Sequence, residues 1–91
     1  MIKSFRCDET RRLFEGERVG RFAGIESAAR RKLEMVAAAE KLQDLRSPPG
    51  NRLEALRGDR AGQHSIRVNK QFRVCFRWND GAEGVEIVDY H

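Results

Sequence analysis

The 91-residue sequence predicts an α+β fold in which two N-terminal helices pack on a mostly antiparallel sheet. Three observations carry that reading. The first half holds a long apolar stripe at helical spacing, the second half changes to a period of two, and "SPPG" separates them. A chain of this length supports one core, so residues 1–91 read as a single domain.

The elements follow in order. "MIKSFR" alternates apolar and polar side chains and predicts a short first strand. In "DETRRLFEGE", Asp8 is suited to cap a first helix whose apolar contacts are Leu13 and Phe14, and Gly16 and Gly20 punctuate the loop after it. "GIESAARRKLEMVAAAEKLQDL" predicts the second helix. Ile25, Ala29, Leu33, Val36 and Ala37 form its stripe, while Arg30, Arg31, Lys32 and Glu34 face elsewhere. Nothing breaks the run until Pro48, Pro49 and Gly50. "RLEAL" then reads as a short strand, "RGDRAG" as a loop, and "HSIRV" and "FRVCFRW" as strands joined at "NKQ". "NDGAEG" is a second turn and "VEIVDYH" the last strand. By alternation Ile66, Val68, Phe72, Val74 and Phe76 face the helices, whereas Ser65, Arg67, Arg73, Cys75 and Arg77 face the other way.

Charge is distributed unevenly. Between Arg46 and Arg77 eight basic residues meet only Glu54 and Asp59, a local excess of +6. Arginine supplies 14 of the 18 basic side chains, and its planar fork suits bidentate phosphate contacts and base stacking. A solvated basic face is the ordinary reading of such a segment; the arginine enrichment adds weight to a polyanionic partner, most simply nucleic acid. Arg67 and Arg73 fall on one face of paired strands, where an anion between them relieves their repulsion. Lys70, Arg60 and His64 add candidate RNA contacts, the first two being equally suited to solubility. No apolar run is long enough to cross a bilayer and "MIKSFRCDE" lacks a signal-peptide core, so a cytoplasmic protein without a membrane partner is expected. Cys7 and Cys75 are far apart and read as reduced structural thiols. His64 and His91 stand outside any ligand cluster, so neither a metal nor another cofactor is expected.

The sequence ends on "VDYH", which sets a carboxylate, a phenol and an imidazole in succession: Asp89, Tyr90 and His91. On spacing alone, a surface carboxylate, a packed tyrosine and a histidine without chemistry account for them. Two stretches, "LRGDRAGQHSIRVN.QFRVCF" and this ending, together with "AGIESAARRKLEMVAAA", resemble the HigB branch of the RelE-like toxins over nearly the whole chain. The resemblance implies a small α+β sandwich and a toxin of a type II toxin–antitoxin system. It implies ribosome-dependent cleavage of messenger RNA in the decoding site, without a metal, by attack of the substrate 2′-hydroxyl on the adjacent phosphate. The implied partners are the ribosome and mRNA, and a helix-turn-helix antitoxin of the HigA kind. Operator DNA is reached only through the antitoxin complex. By position, Asp89, Tyr90 and His91 match the catalytic run, and Arg73 matches the arginine that contacts the scissile phosphate. Arg57 stands where lysine is common in the family; it keeps the charge, but an arginine cannot serve as a base at ordinary pH. Glu54 stands where some relatives carry histidine, and either orients Arg57 or handles a proton itself.

Such cleavage needs a base for the 2′-hydroxyl, positive charge for the phosphorane and an acid for the leaving oxygen. His91 suits acid or base because the imidazole reference pKa, about 6.5, lies nearest working pH. Asp89 suits a base or an orienting group, and Tyr90 a stacking platform or a donor to phosphate oxygen. Two other readings remain open on the residues alone: a non-catalytic RNA- or ribosome-binding module, and an interaction subunit of a DNA-binding antitoxin complex.

Overall fold

The period of two after Gly50 produces a sheet, and a computed structural model describes it together with the rest of residues 1–90. Strands β1 (Glu54–Ala55), β2 (His64–Arg67), β3 (Phe72–Trp78) and β4 (Ala82–Asp89) form an antiparallel meander in the order β1-β2-β3-β4. Helices α1 (Asp8–Phe14) and α2 (Glu26–Ala38) pack on one face. Between the layers lie Leu13, Phe22, Ala29, Leu33, Val36, Ile66, Val74, Phe76 and Val85, all removed from solvent. Burying each of the larger ones stabilises the fold by about 1.5–3 kcal/mol. Among the described residues no helix is long and apolar enough to cross a membrane.

The segment "MIKSFR" runs beside β4 but makes only two parallel bridges, Ile2 with Ala82 and Phe5 with Val85, instead of a full strand. It nonetheless covers the free edge of β4, and Thr10 of α1 extends that cover: its buried Oγ1 accepts from the Ile87 amide at 3.0 Å. The outer edge of β4 is thus blunted against pairing with another chain. Asp8 is not the cap of α1. Cys7 holds that position, and Asp8 lies in the first turn, where its carboxylate suits the helix dipole and accepts from Arg11 at 2.7 Å.

α2 ends well before Pro48. Its Ala, Arg, Leu and Glu content favours the helix, but Asp44 Oδ2 accepts from the amides of Glu40 and Lys41, both at 3.0 Å. That bond pattern draws the chain out at Ala39, which is extended (ψ 131°), and starts a separate 3₁₀ turn at Leu42–Arg46. Lys32 does not face solvent either. It is buried, and its Nζ donates to Asn51 Oδ1 at 2.6 Å. Asn51 Nδ2 donates in turn to the carbonyls of Leu45 and Ser47. A single buried amide therefore joins α2 to the turns that lead into β1. Asn51→Ala strands an ammonium and two carbonyls, and is expected to cost about 3 kcal/mol, a fall in Tm of roughly 15 °C. Thermal unfolding followed by circular dichroism checks this, and adding Lys32→Met should restore part of the loss.

β4 begins at Ala82, so "AEG" belongs to the strand and only "NDG" makes the turn. The alternation is broken once, by a register shift opposite Cys75–Arg77 that is accommodated at Gly84 (φ +60°). This bulge lets Ala82, Val85 and Ile87 all face the core.

Candidate functional site

The face of β2 and β3 turned away from the helices is less open than alternation suggests. Arg67 and Arg73 share this face, as parity requires, and the register pairs them directly, as it pairs Ser65 with Cys75, yet Ser65 and Cys75 are fully buried. Arginines cover them. Arg73 Nε donates to Ser65 Oγ at 2.7 Å. Arg60 reaches over from its loop to Gln63 Oε1 (3.1 Å) and to Glu86 Oε2 (3.2 Å), the residue beside Cys75 on β4. Burial pushes the Cys75 thiol up to about 11. Alkylation of Cys75 at pH 8 is therefore expected to be roughly a hundredfold slower in the native protein than in the denatured chain. Mass-spectrometric counting of modified thiols over time checks it.

The Arg73 guanidinium is fixed from two sides. Besides Ser65, its NH2 donates to the Arg52 carbonyl at 2.8 Å and lies 3.7 Å from Glu54 Oε1. Arg52 has left-handed backbone (φ 46°), which any side chain adopts reluctantly, at the residue whose carbonyl holds Arg73. The side chain of Arg73 is only 12% exposed. Its two hydrogen bonds go to neutral acceptors and Glu54 stands only at the longer ion-pair distance, so it keeps donors for an anion.

A depression of about 450 Å³ opens at this point. Arg52, Arg67, Lys70 and Arg73 line it together with Asn69 and Tyr90, four cations among six residues. The Arg73 guanidinium lies 5.9 Å from the centre of the Tyr90 ring. Tyr90 also lines a second depression, together with Glu54, Ala55, Leu56 and Arg57. Tyr90 is thus shared by a hollow whose charged lining is all cationic and one that contains a carboxylate.

The β2–β3 hairpin shapes the first hollow. Asn69 Oδ1 accepts from the amides of Gln71 (2.8 Å) and Phe72 (2.7 Å), and its carbonyl accepts from Arg67 Nε (3.0 Å). Gln71 then meets the last strand: its carbonyl accepts from the Tyr90 amide at 2.8 Å, and its Nε2 donates to Asp89 Oδ2 at 2.9 Å. Asp89 pairs with Phe72 in the register, so it and Tyr90 leave the strand toward opposite faces, Tyr90 toward Arg73.

The structure therefore gathers Arg73, Arg67, Lys70 and Tyr90 at one hollow and places Glu54 and Arg57 at the adjoining one. Asp89 lines neither hollow; it is tied to the hairpin through Gln71. It does not bring Arg60 or His64 there. Arg60 is engaged with Glu86. His64 stacks on Phe76, and its buried Nδ1 has no hydrogen-bond partner among the described residues. His64 also lines a separate depression of about 260 Å³ with Leu42, Leu53 and Glu54. His91 lies outside the described residues. Arg52, Ser65, Asn69 and Gln71 escaped the sequence reading. Arg52 belongs to the basic segment, but nothing in its spacing marks a left-handed backbone.

With this geometry in view, comparison with known proteins is decisive. A profile described as RelE-like toxin of type II toxin–antitoxin system HigB matches residues 3–91. The chain belongs to the HigB-like toxin family. Toxin HigB-1 of Vibrio cholerae serotype O1 is 51% identical over 69 residues, which cover 76% of this chain and 73% of that protein. An uncharacterized protein of Haemophilus influenzae is 43% identical over 61 residues, 67% of this chain and 60% of that one. The HigB-like toxin thus has the RelE-like arrangement of two helices on a four-stranded antiparallel sheet. It is the toxin of a type II toxin–antitoxin system, a class that carries an antitoxin partner.

Proposed function

We propose that this toxin is an endoribonuclease that cuts messenger RNA on the ribosome. The observation that carries the reading is the four-cation hollow sharing Tyr90 with a hollow that holds Glu54. An RNA strand lying across Tyr90 sets a phosphate among arginines and an adjacent ribose near proton-transfer groups. The 2′-hydroxyl gives its proton to a base, and its oxygen attacks the adjacent phosphorus. The bond from phosphorus to the 5′-oxygen breaks, and that oxygen takes up a proton. The products are a 2′,3′-cyclic phosphate and a 5′-hydroxyl.

The roles divide by chemistry. Arg73, already oriented by Ser65 and the Arg52 carbonyl, neutralises the charge that builds on the phosphorane without reorganising. Arg52, Arg67 and Lys70 hold flanking phosphates, and binding accordingly weakens with salt. Tyr90 stacks on a base that has left its neighbours. Arg57 adds charge but moves no proton. His91 is assigned to proton transfer, with Glu54 as the carboxylate nearest Arg73; Asp89, whose side chain leaves the strand on the face opposite Tyr90 and is held by Gln71, is assigned an orienting role. Charge neutralisation by guanidinium groups leaves no step that calls for a metal. The action is cytoplasmic, and a HigA-like helix-turn-helix antitoxin neutralises the toxin and carries the pair to operator DNA.

The test is a purified system of ribosomes programmed with a defined message, with EDTA added after assembly at a level that leaves the ribosomes intact. Cleavage inside codons with cyclic-phosphate ends is the expected result; an intact message at stoichiometric toxin refutes the enzyme reading and leaves a binding module.

A further inference from the structure

The hairpin tip does more than border the cationic hollow. Gln71 is exposed and far in sequence from the last strand, yet it grips two consecutive residues of it through different groups. Its carbonyl takes the Tyr90 amide at 2.8 Å, and its side-chain amide donates to Asp89 Oδ2 at 2.9 Å. Gln71 is itself held, because Asn69 Oδ1 accepts from its backbone amide at 2.8 Å. Tyr90 lies just beyond β4, where no ladder bond to β3 would otherwise restrain it. The same tip supplies Asn69 and Lys70 to the hollow.

We propose that Gln71 is a positioning residue that clamps the Asp89–Tyr90 segment against the phosphate hollow and so sets the Tyr90 ring beside Arg73. This rests on the cleavage reading for its consequence, though not for its geometry. A side chain three bonds longer than alanine is needed to reach Asp89, and it must end in a donor. Glutamate at the same place sets two carboxylates against each other and pushes the segment away.

Gln71→Ala is expected to lower the single-turnover rate on programmed ribosomes by roughly tenfold, the effect of one hydrogen bond to a charged group, with little change in apparent affinity. Gln71→Glu should lower it further, although it is the closer match in size. Because the side chain is exposed, neither variant should shift the unfolding temperature appreciably. Independently of activity, the Tyr90 amide should lose roughly tenfold of its hydrogen-exchange protection in Gln71→Ala. Wild-type rates in both variants overturn the inference. If the wild-type protein cuts nothing, the cleavage reading falls, and unchanged Tyr90 protection in Gln71→Ala still overturns the clamp on its own.

Discussion

Arg73→Ala is expected to slow message cleavage on ribosomes by about a hundred- to a thousandfold, the loss seen when one preorganised donor to a developing oxyanion is removed. The size follows from how Arg73 is held. Ser65 Oγ and the Arg52 carbonyl fix two of its donor positions, so the guanidinium arrives already oriented and 12% exposed. Low exposure strengthens its field on an anion and denies water the same place. Arg73→Lys keeps the charge but cannot bond Ser65 and Arg52 while presenting a fork, so it should recover only part of the rate. Ser65 loses its partner in both variants, and circular dichroism at assay temperature checks that they remain folded. Single-turnover rates on programmed ribosomes check the prediction, and a rate for Arg73→Ala within a few-fold of wild type contradicts it.

The second large effect concerns the last residue. Removing His91 is expected to reduce the rate by about a hundred- to ten-thousandfold, the usual contribution of a general acid or base. The loss should fall on the chemical step and spare binding, because phosphate holding is assigned to Arg52 before β1, Arg67 on β2, Lys70 in the hairpin and Arg73 on β3. The variant should also lose the pH dependence that an imidazole contributes, for which the reference value is about 6.5. Rates and ribosome affinities measured across a pH series separate the two quantities. A variant that loses affinity but keeps its rate at saturation contradicts the assignment.

The sequence was informative where chemistry follows a period. A spacing of two put Arg67 and Arg73 on one face of paired strands, and the register sets them directly opposite each other. The helical stripe named Ala29, Leu33 and Val36, all of which are in the core. Features set by single contacts over long separations were not legible. The end of α2 depends on Asp44 turning back to two amides, and the burial of Lys32 depends on Asn51, nineteen positions away. Parity put Ser65 and Cys75 on the face away from the helices, which is correct, but it does not count the arginines that lie across that face and bury them. Of the hollow itself, the cations were visible as a charge excess, whereas the supports that aim them were not. Arg52 acts through a left-handed carbonyl and Gln71 through a hairpin register, and neither leaves a mark in composition.

The most direct measurement uses one ribosome-bound message made in two forms, with the ribose at the scissile nucleotide either intact or 2′-deoxy. If the arginine-lined hollow holds a phosphate for attack by the neighbouring hydroxyl, wild-type toxin cuts the first form to a 2′,3′-cyclic phosphate and leaves the second whole. Equal cleavage of both forms, or of neither, contradicts the account.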